Sequence, residues 1–126
     1  MATLPPSILL FLRFAMVGGI GTLAHYLTLI TLVDFMDVEP VMASAFGFLV
    51  GALVNYLLNY HVTFKSQKKH RSAFGKFLLI ATVGFFLNTA LMAALVPFLH
   101  YLFAQIIATL IVLFWNFTGS RIWAFR

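Results

Sequence analysis

One long segment without charged residues constrains the fold of this chain more than any other feature. From Phe77 to Ser120 there is no Asp, Glu, Lys or Arg, and the segment is about twice as long as one membrane helix requires. Pro97, followed by His100, lies near its middle and divides it into two spans. Two more apolar segments precede it, so the sequence predicts an all-α integral membrane protein. We expect one domain over residues 1–126, with four transmembrane helices at about 14–33, 41–62, 77–96 and 101–120.

The composition argues against a soluble fold. Hydrophobic residues make up 63% of the chain and charged residues only 9%, whereas soluble domains are about one quarter charged. A soluble helical bundle would also alternate apolar and polar faces, and the four segments do not. The segment Met1–Leu12 has no basic region and no convincing cleavage site, so we expect mature sequence and not a signal peptide.

Acidic and basic residues separate along the chain. The three acids, Asp34, Asp37 and Glu39, lie between the first and second spans. The basic residues flank the opposite ends of the spans: Arg13, Lys65, Lys68, Lys69, Arg71, Lys76, Arg121 and Arg126. Because Lys and Arg are retained in the cytoplasm, we predict that both termini and the middle loop are cytoplasmic. Beside a membrane, such a basic loop is typical of an orientation signal that contacts anionic lipids, and we expect no nucleic-acid binding.

The two halves of the chain resemble each other. Span one matches span three at the same spacing: Arg13 corresponds to Lys76, Gly21 to Gly84 and His25 to Asn88. Span two matches span four, where Asn55 corresponds to Asn116. The chain is therefore predicted to form two tandem helical hairpins in the same orientation. This arrangement differs from the inverted repeats of many transporters.

Span two carries a stripe of small and polar residues at every fourth position: Ala43, Gly47, Gly51, Asn55 and Asn59. These positions share one helix face, and the two glycines would let another helix approach closely. An asparagine in hydrocarbon needs a partner, so each either bonds a neighbouring helix or faces a polar cavity. Asn116 has the matching place in span four, which favours one cavity open to the cytoplasm.

His25 and Asn88 occupy matched positions near the membrane midplane, about 18 Å from the cytoplasmic helix ends. They could form an interhelical hydrogen bond, or they could be a polar lining for a hydrophilic cargo group. A proton relay is a third interpretation, but it lacks an acidic partner. The cytoplasmic helix ends carry Arg13, Lys76, Arg121 and Arg126. These side chains either extend to lipid headgroups or collect an anionic phosphate.

No residues indicate an enzyme. The sequence shows no nucleophile–base pair, no metal-ligand cluster and no cysteine, so we expect neither catalysis nor a metal or cofactor. The glycines from Gly18 to Gly21 follow no strand and are not a dinucleotide loop. A small multidrug exporter has a similar size, but it needs a carboxylate embedded in the membrane for proton exchange, and the spans predicted here contain none.

Several segments resemble the GtrA-like family of small bacterial membrane proteins. The matching segments are Arg13–Thr22, Gly47, Gly51, Asn55–Phe64 and Asn116–Phe125. The resemblance covers nearly the whole chain. It implies a flippase of the bacterial cytoplasmic (inner) membrane that moves a polyprenyl-phosphate-linked sugar to the outer leaflet. A glycosyltransferase then adds the sugar to O-antigen, teichoic acid or a related cell-surface polysaccharide. The alternative is an anchor or recruiting scaffold for that glycosyltransferase.

A flippase of this kind needs a polar path for the headgroup only, because the polyprenyl tail stays in lipid. The residues expected to bind the lipid substrate are Arg13, His25, Asn55, Asn59, Lys76, Asn88, Asn116 and Arg121. Four helices cannot enclose a large channel, so we expect a homo-oligomer or a groove open to the surrounding membrane lipids.

Overall fold

The computed structural model describes residues 5–58 and 70–119. Within them the chain forms α1 (Pro6–Ile30), a π-helical turn (Thr31–Phe35), α2 (Pro40–Leu58), α3 (His70–Leu95) and α4 (Tyr101–Gly119). The described part contains no strand. Each of the four helices is long and apolar enough to cross a membrane. The predicted all-α membrane fold with four spans is therefore confirmed.

The helices α1 and α3 begin earlier than the apolar spans predicted for them. Those predicted spans start directly after Arg13 and Lys76, because a basic side chain interrupts the hydropathy. Backbone hydrogen bonding does not depend on that interruption, so the helices continue past it. Pro6 begins α1, where its missing N–H loses no helical bond. With its π-helical turn, α1 is about 45 Å long, which exceeds the hydrocarbon core of about 30 Å.

Short connections join the helices within each hairpin. Residues 37–39 lead into α2, and the carboxylate of Glu39 accepts the N–H groups of Val41 at 2.9 Å and Met42 at 3.0 Å. The second connection contains Pro97, as predicted, because proline cannot continue a helix. His100 Nδ1 then accepts the Leu102 N–H at 3.2 Å at the start of α4.

Removing the Glu39 cap should lower stability without changing the fold. We expect Glu39→Ala to cost about 1 kcal/mol, because two N–H groups of the first turn of α2 lose their side-chain partner. Glu39→Gln is the control, since its carbonyl oxygen keeps one of the two bonds and should lose less. Unfolding in detergent measures both variants, and equal stability of Glu39→Ala and the parent would contradict the capping role.

Neighbouring helices pack antiparallel, α1 against α2, α2 against α3 and α3 against α4. The apolar interior includes two clusters of buried residues: Leu29, Ala43 and Tyr101, and Met92, Ala104 and Ala108. Large apolar side chains such as Phe86, Phe114 and Phe117 are exposed on the outside of the bundle. Lipid tails are as apolar as these side chains, so this surface fits a membrane and not water.

Candidate functional site

Three glycines bring α1 and α2 into backbone contact. A Cβ placed on Gly51 would lie 2.7 Å from the carbonyl oxygen of Gly21, and one on Gly47 would lie 2.7 Å from that of His25. No real Cβ tolerates such distances to backbone atoms, so both positions require glycine. The predicted close helix contact of Gly47 and Gly51 is confirmed. It fixes α1 and α2 as one tightly packed hairpin.

The two hairpins repeat one contact. A Cβ on Gly21 would lie 3.3 Å from the Asn55 Cβ, and a Cβ on Gly84 would lie 3.2 Å from Asn116 Oδ1. Both asparagines are half-buried and pack against the glycine of the preceding span. The Asn116 Oδ1 atom is buried without a hydrogen-bond partner, so it can accept one from a ligand. A common cavity for the two asparagines stays a prediction.

The remaining predicted residues are only partly described. Arg13 is an exposed residue of α1, so its guanidinium is accessible to a phosphate group. Asn59 and Arg121 lie outside the described residues, as does the side chain of Lys76 within α3. Their predicted roles stay predictions.

Three buried polar side chains form a closed ring of hydrogen bonds between α2, α3 and α4. Asn88 Nδ2 donates to Ser44 Oγ at 2.9 Å, and Gln105 Nε2 donates to Asn88 Oδ1 at 2.9 Å. The Ser44 hydroxyl closes the ring by donating to Gln105 Oε1. We call Ser44, Asn88 and Gln105 the polar ring. Their exposed fractions are 0%, 1% and 0%, so each satisfies its polar atoms inside the bundle.

Two further side chains connect the polar ring to α1. Gln105 Nε2 also donates to Thr109 Oγ1 at 3.3 Å. Thr109 Oγ1 in turn shares a hydrogen bond with the Tyr26 hydroxyl at 2.8 Å. The polar network thus includes side chains from all four helices.

The imidazole of His25 lies beside the polar ring, next to Gln105 and the backbone of Ser44. It is 7% exposed, and its Nε2 makes no hydrogen bond of normal length and angle, although Gln105 and the Ser44 backbone interact with the imidazole. Edge-to-face contacts with Tyr26 and Phe48 hold the imidazole ring in place. A buried polar atom without a partner is costly, so His25 Nε2 is available to a hydroxyl group that reaches the site.

Comparison with known families matches residues 13–125 to the family described as GtrA/DPMS, transmembrane domain. The chain belongs to the GtrA/DPMS transmembrane domain family. The resemblance found in the sequence is thereby confirmed, and the protein is a multi-pass membrane protein. No curated protein and no solved structure matches the chain.

In this GtrA/DPMS domain, we call the polar ring together with His25 the polar cluster, and the sequence predicted two of its four residues. It paired His25 with Asn88, and the structure places both beside or within the polar ring. It missed Ser44 and Gln105, although a signal was present. These two residues are separated by the same number of positions as Asn55 and Asn116, so they are equivalent in the two repeats. The cluster therefore contains both members of two repeat pairs.

The side chains of this GtrA/DPMS site are uncharged hydrogen-bonding groups. Amide, hydroxyl and imidazole groups both donate and accept, as the hydroxyl groups of a sugar do. Within residues 5–58 and 70–119, no group of three His, Cys, Asp or Glu residues could hold a metal ion. The arrangement is suited to bind hydroxyl groups inside a membrane.

Proposed function

We propose that this protein flips a polyprenyl-phosphate-linked sugar across the bacterial cytoplasmic membrane for glycosylation of cell-surface polysaccharide. Membership of the GtrA/DPMS family supports a role in translocating polyprenyl-phosphate sugars. The observation that carries the proposal is the buried polar ring with His25 beside it, whose Nε2 makes no hydrogen bond of normal geometry. The ring members satisfy one another, whereas a buried polar atom without a good partner, such as His25 Nε2, is costly unless a ligand provides one.

The physical difficulty of flipping is the passage of sugar hydroxyl groups through hydrocarbon. Each hydroxyl without a hydrogen-bond partner costs roughly 2–7 kcal/mol there. Partners at successive depths reduce this cost. Asn55 and Asn116 serve first, and His25 and Asn88 follow deeper in the bundle, beside Ser44 in the first turns of α2. Moderate binding at each step prevents the lipid from being trapped midway.

Cationic residues at the cytoplasmic helix ends attract the phosphate before the sugar enters. Arg13, Lys76 and Arg121 have this role in the proposal, and Asn59 hydrogen-bonds the headgroup beside them. Asp34 lies in the π-helical turn at the end of the first span, and Asp37 and Glu39 follow in the connection, so no acid lies at the depth of His25. We therefore propose facilitated, downhill movement that is not coupled to protons.

The proposed direction requires both termini in the cytoplasm, and labelling can test this. The chain has no cysteine, so single cysteines can be introduced one at a time. Asp37→Cys should react with an impermeant maleimide from outside intact cells. Ser66→Cys, and cysteines added at either terminus, should react only after the cells are opened. Labelling of a terminus from outside would contradict the orientation.

Lipid binding by the purified protein separates a flippase from a scaffold for a glycosyltransferase. A flippase should bind polyprenyl-phosphate glucose or polyprenyl-phosphate mannose, whereas a scaffold needs neither. Arg13→Ala and Arg121→Ala should each weaken binding about fivefold and reduce its salt dependence, because each removes one charge near the membrane surface. Arg13→Lys is the matched control and should retain most of the affinity. Absence of binding to both lipids would leave the scaffold as the better account.

A further inference from the structure

We propose that the polar ring is an occluded binding site for sugar hydroxyl groups, and that it also latches the two hairpins together. This inference rests on the proposed function. It gives roles to Ser44 and Gln105, and to Tyr26 and Thr109 beside them. In the closed bundle these side chains bond one another, and in the open bundle they bond the hydroxyl groups of the passing headgroup.

The hydrogen bonds are placed where a latch would need them. Helices α1 and α2 form the first hairpin, and α3 and α4 form the second. Two bonds of the polar ring join Ser44 of the first hairpin to Asn88 and Gln105 of the second. A third bond between the hairpins joins Tyr26 to Thr109. Separating the hairpins breaks all three at once.

Close contacts join the two helices within each hairpin. The backbones of α1 and α2 touch at Gly21 and Gly51, so these helices move together. In the second hairpin, Trp115 Nε1 donates to the Ile80 carbonyl oxygen at 3.1 Å, and Met92 is fully buried against α4. The contact between the hairpins is therefore the place where the bundle opens.

Burial of the ring shows why opening is required. Ser44 and Gln105 are 0% exposed, so no headgroup reaches them in the closed bundle. When the hairpins part, each ring member loses its partner inside hydrocarbon, which is costly. Sugar hydroxyl groups both donate and accept, so they can replace the lost bonds. His25 Nε2, which makes no hydrogen bond of normal geometry, offers the first contact.

Accessibility of the bundle interior tests the latch without any transport measurement. Ala43 is 0% exposed and lies in one cluster with Tyr101 of the second hairpin, so Ala43→Cys in the full chain in nanodiscs should react with a water-soluble maleimide only when the hairpins separate. Adding Ser44→Ala should raise the labelling rate about sevenfold, because two membrane hydrogen bonds of typical strength are lost. Adding Tyr26→Phe removes one bond and should raise the rate about threefold.

Thr82→Ala is the matched control, because the exposed Thr82 hydroxyl donates to the Leu78 carbonyl oxygen of its own helix and not to the other hairpin within the described residues. Its labelling rate should equal that of the parent. Polyprenyl-phosphate glucose in the nanodisc should raise the labelling rate of the single-cysteine parent. Polyprenyl phosphate without the sugar should leave that rate unchanged. Unchanged rates in folded Ser44→Ala and Tyr26→Phe would overturn the latch. Raised rates in these variants without any effect of the sugar lipid would overturn the exchange with sugar hydroxyl groups.

Discussion

Replacing Gly51 by leucine should prevent the bundle from folding. A Cβ at this position would lie 2.7 Å from the Gly21 carbonyl oxygen and 3.1 Å from the His25 Cβ. The nearest atom belongs to the backbone of a packed helix and cannot rotate away. Overpacking a core typically costs about 1–3 kcal/mol, and a whole leucine between two backbones should exceed the upper value. We expect little folded protein after extraction in detergent, or a large drop in the melting temperature.

Gly19→Leu is the matched control for this substitution. Gly19 lies on the same helix as Gly21, but a Cβ there meets no atom within 4 Å. It faces outward, where a leucine contacts lipid in a membrane. Gly19→Leu should therefore fold and melt like the parent. Parent-like melting and elution of Gly51→Leu would show that the backbone contact of α1 and α2 is wrong.

Replacing His25 by leucine should slow lipid transfer while leaving phosphate binding intact. Leucine removes the Nε2 atom that the proposal offers to a sugar hydroxyl, and it adds no charge or large volume. An unsatisfied buried hydroxyl costs about 1–3 kcal/mol. The rate of transfer in liposomes should therefore fall about tenfold, which corresponds to about 1.4 kcal/mol.

His100→Leu provides a control with the same change of side chain. His100 is exposed in the connection before α4, and its Nδ1 accepts the Leu102 N–H. Loss of this hydrogen bond should lower stability by the amount typical of one helix cap. The transfer rate of His100→Leu should stay within about twofold of the parent. A His25→Leu protein that folds and transfers lipid at the parent rate would remove His25 from the path.

Hydropathy and proline placement were enough to predict the helices. The uncharged segment from Phe77 to Ser120 is too long for one span, and Pro97 marks its break, which the structure places after Leu95. The spacing of Gly47 and Gly51 predicted the close contact of α2 with another helix. Helix ends were less predictable, because hydropathy follows side chains whereas helices end where backbone hydrogen bonds end.

The polar cluster could be predicted only in part. His25 and Asn88 stand out because they are polar, deep in their spans and equivalent in the repeats. Ser44 lies near the start of α2 and Gln105 near the start of α4, where a polar residue near the membrane surface is ordinary. Their burial depends on the rotation of each helix about its axis. That rotation is set by packing between helices and not by the sequence of one helix.

Transfer of lipid in reconstituted liposomes tests the central claim most directly. The purified protein is placed in liposomes that carry labelled polyprenyl-phosphate glucose or mannose in the inner leaflet, and the label reaching the outer leaflet is followed over time. We predict that at least one of the two lipids appears outside faster than in protein-free liposomes, and more slowly with His25→Leu. If neither lipid reaches the outer leaflet faster than in protein-free liposomes, and neither binds the protein, then flipping by this protein alone is contradicted.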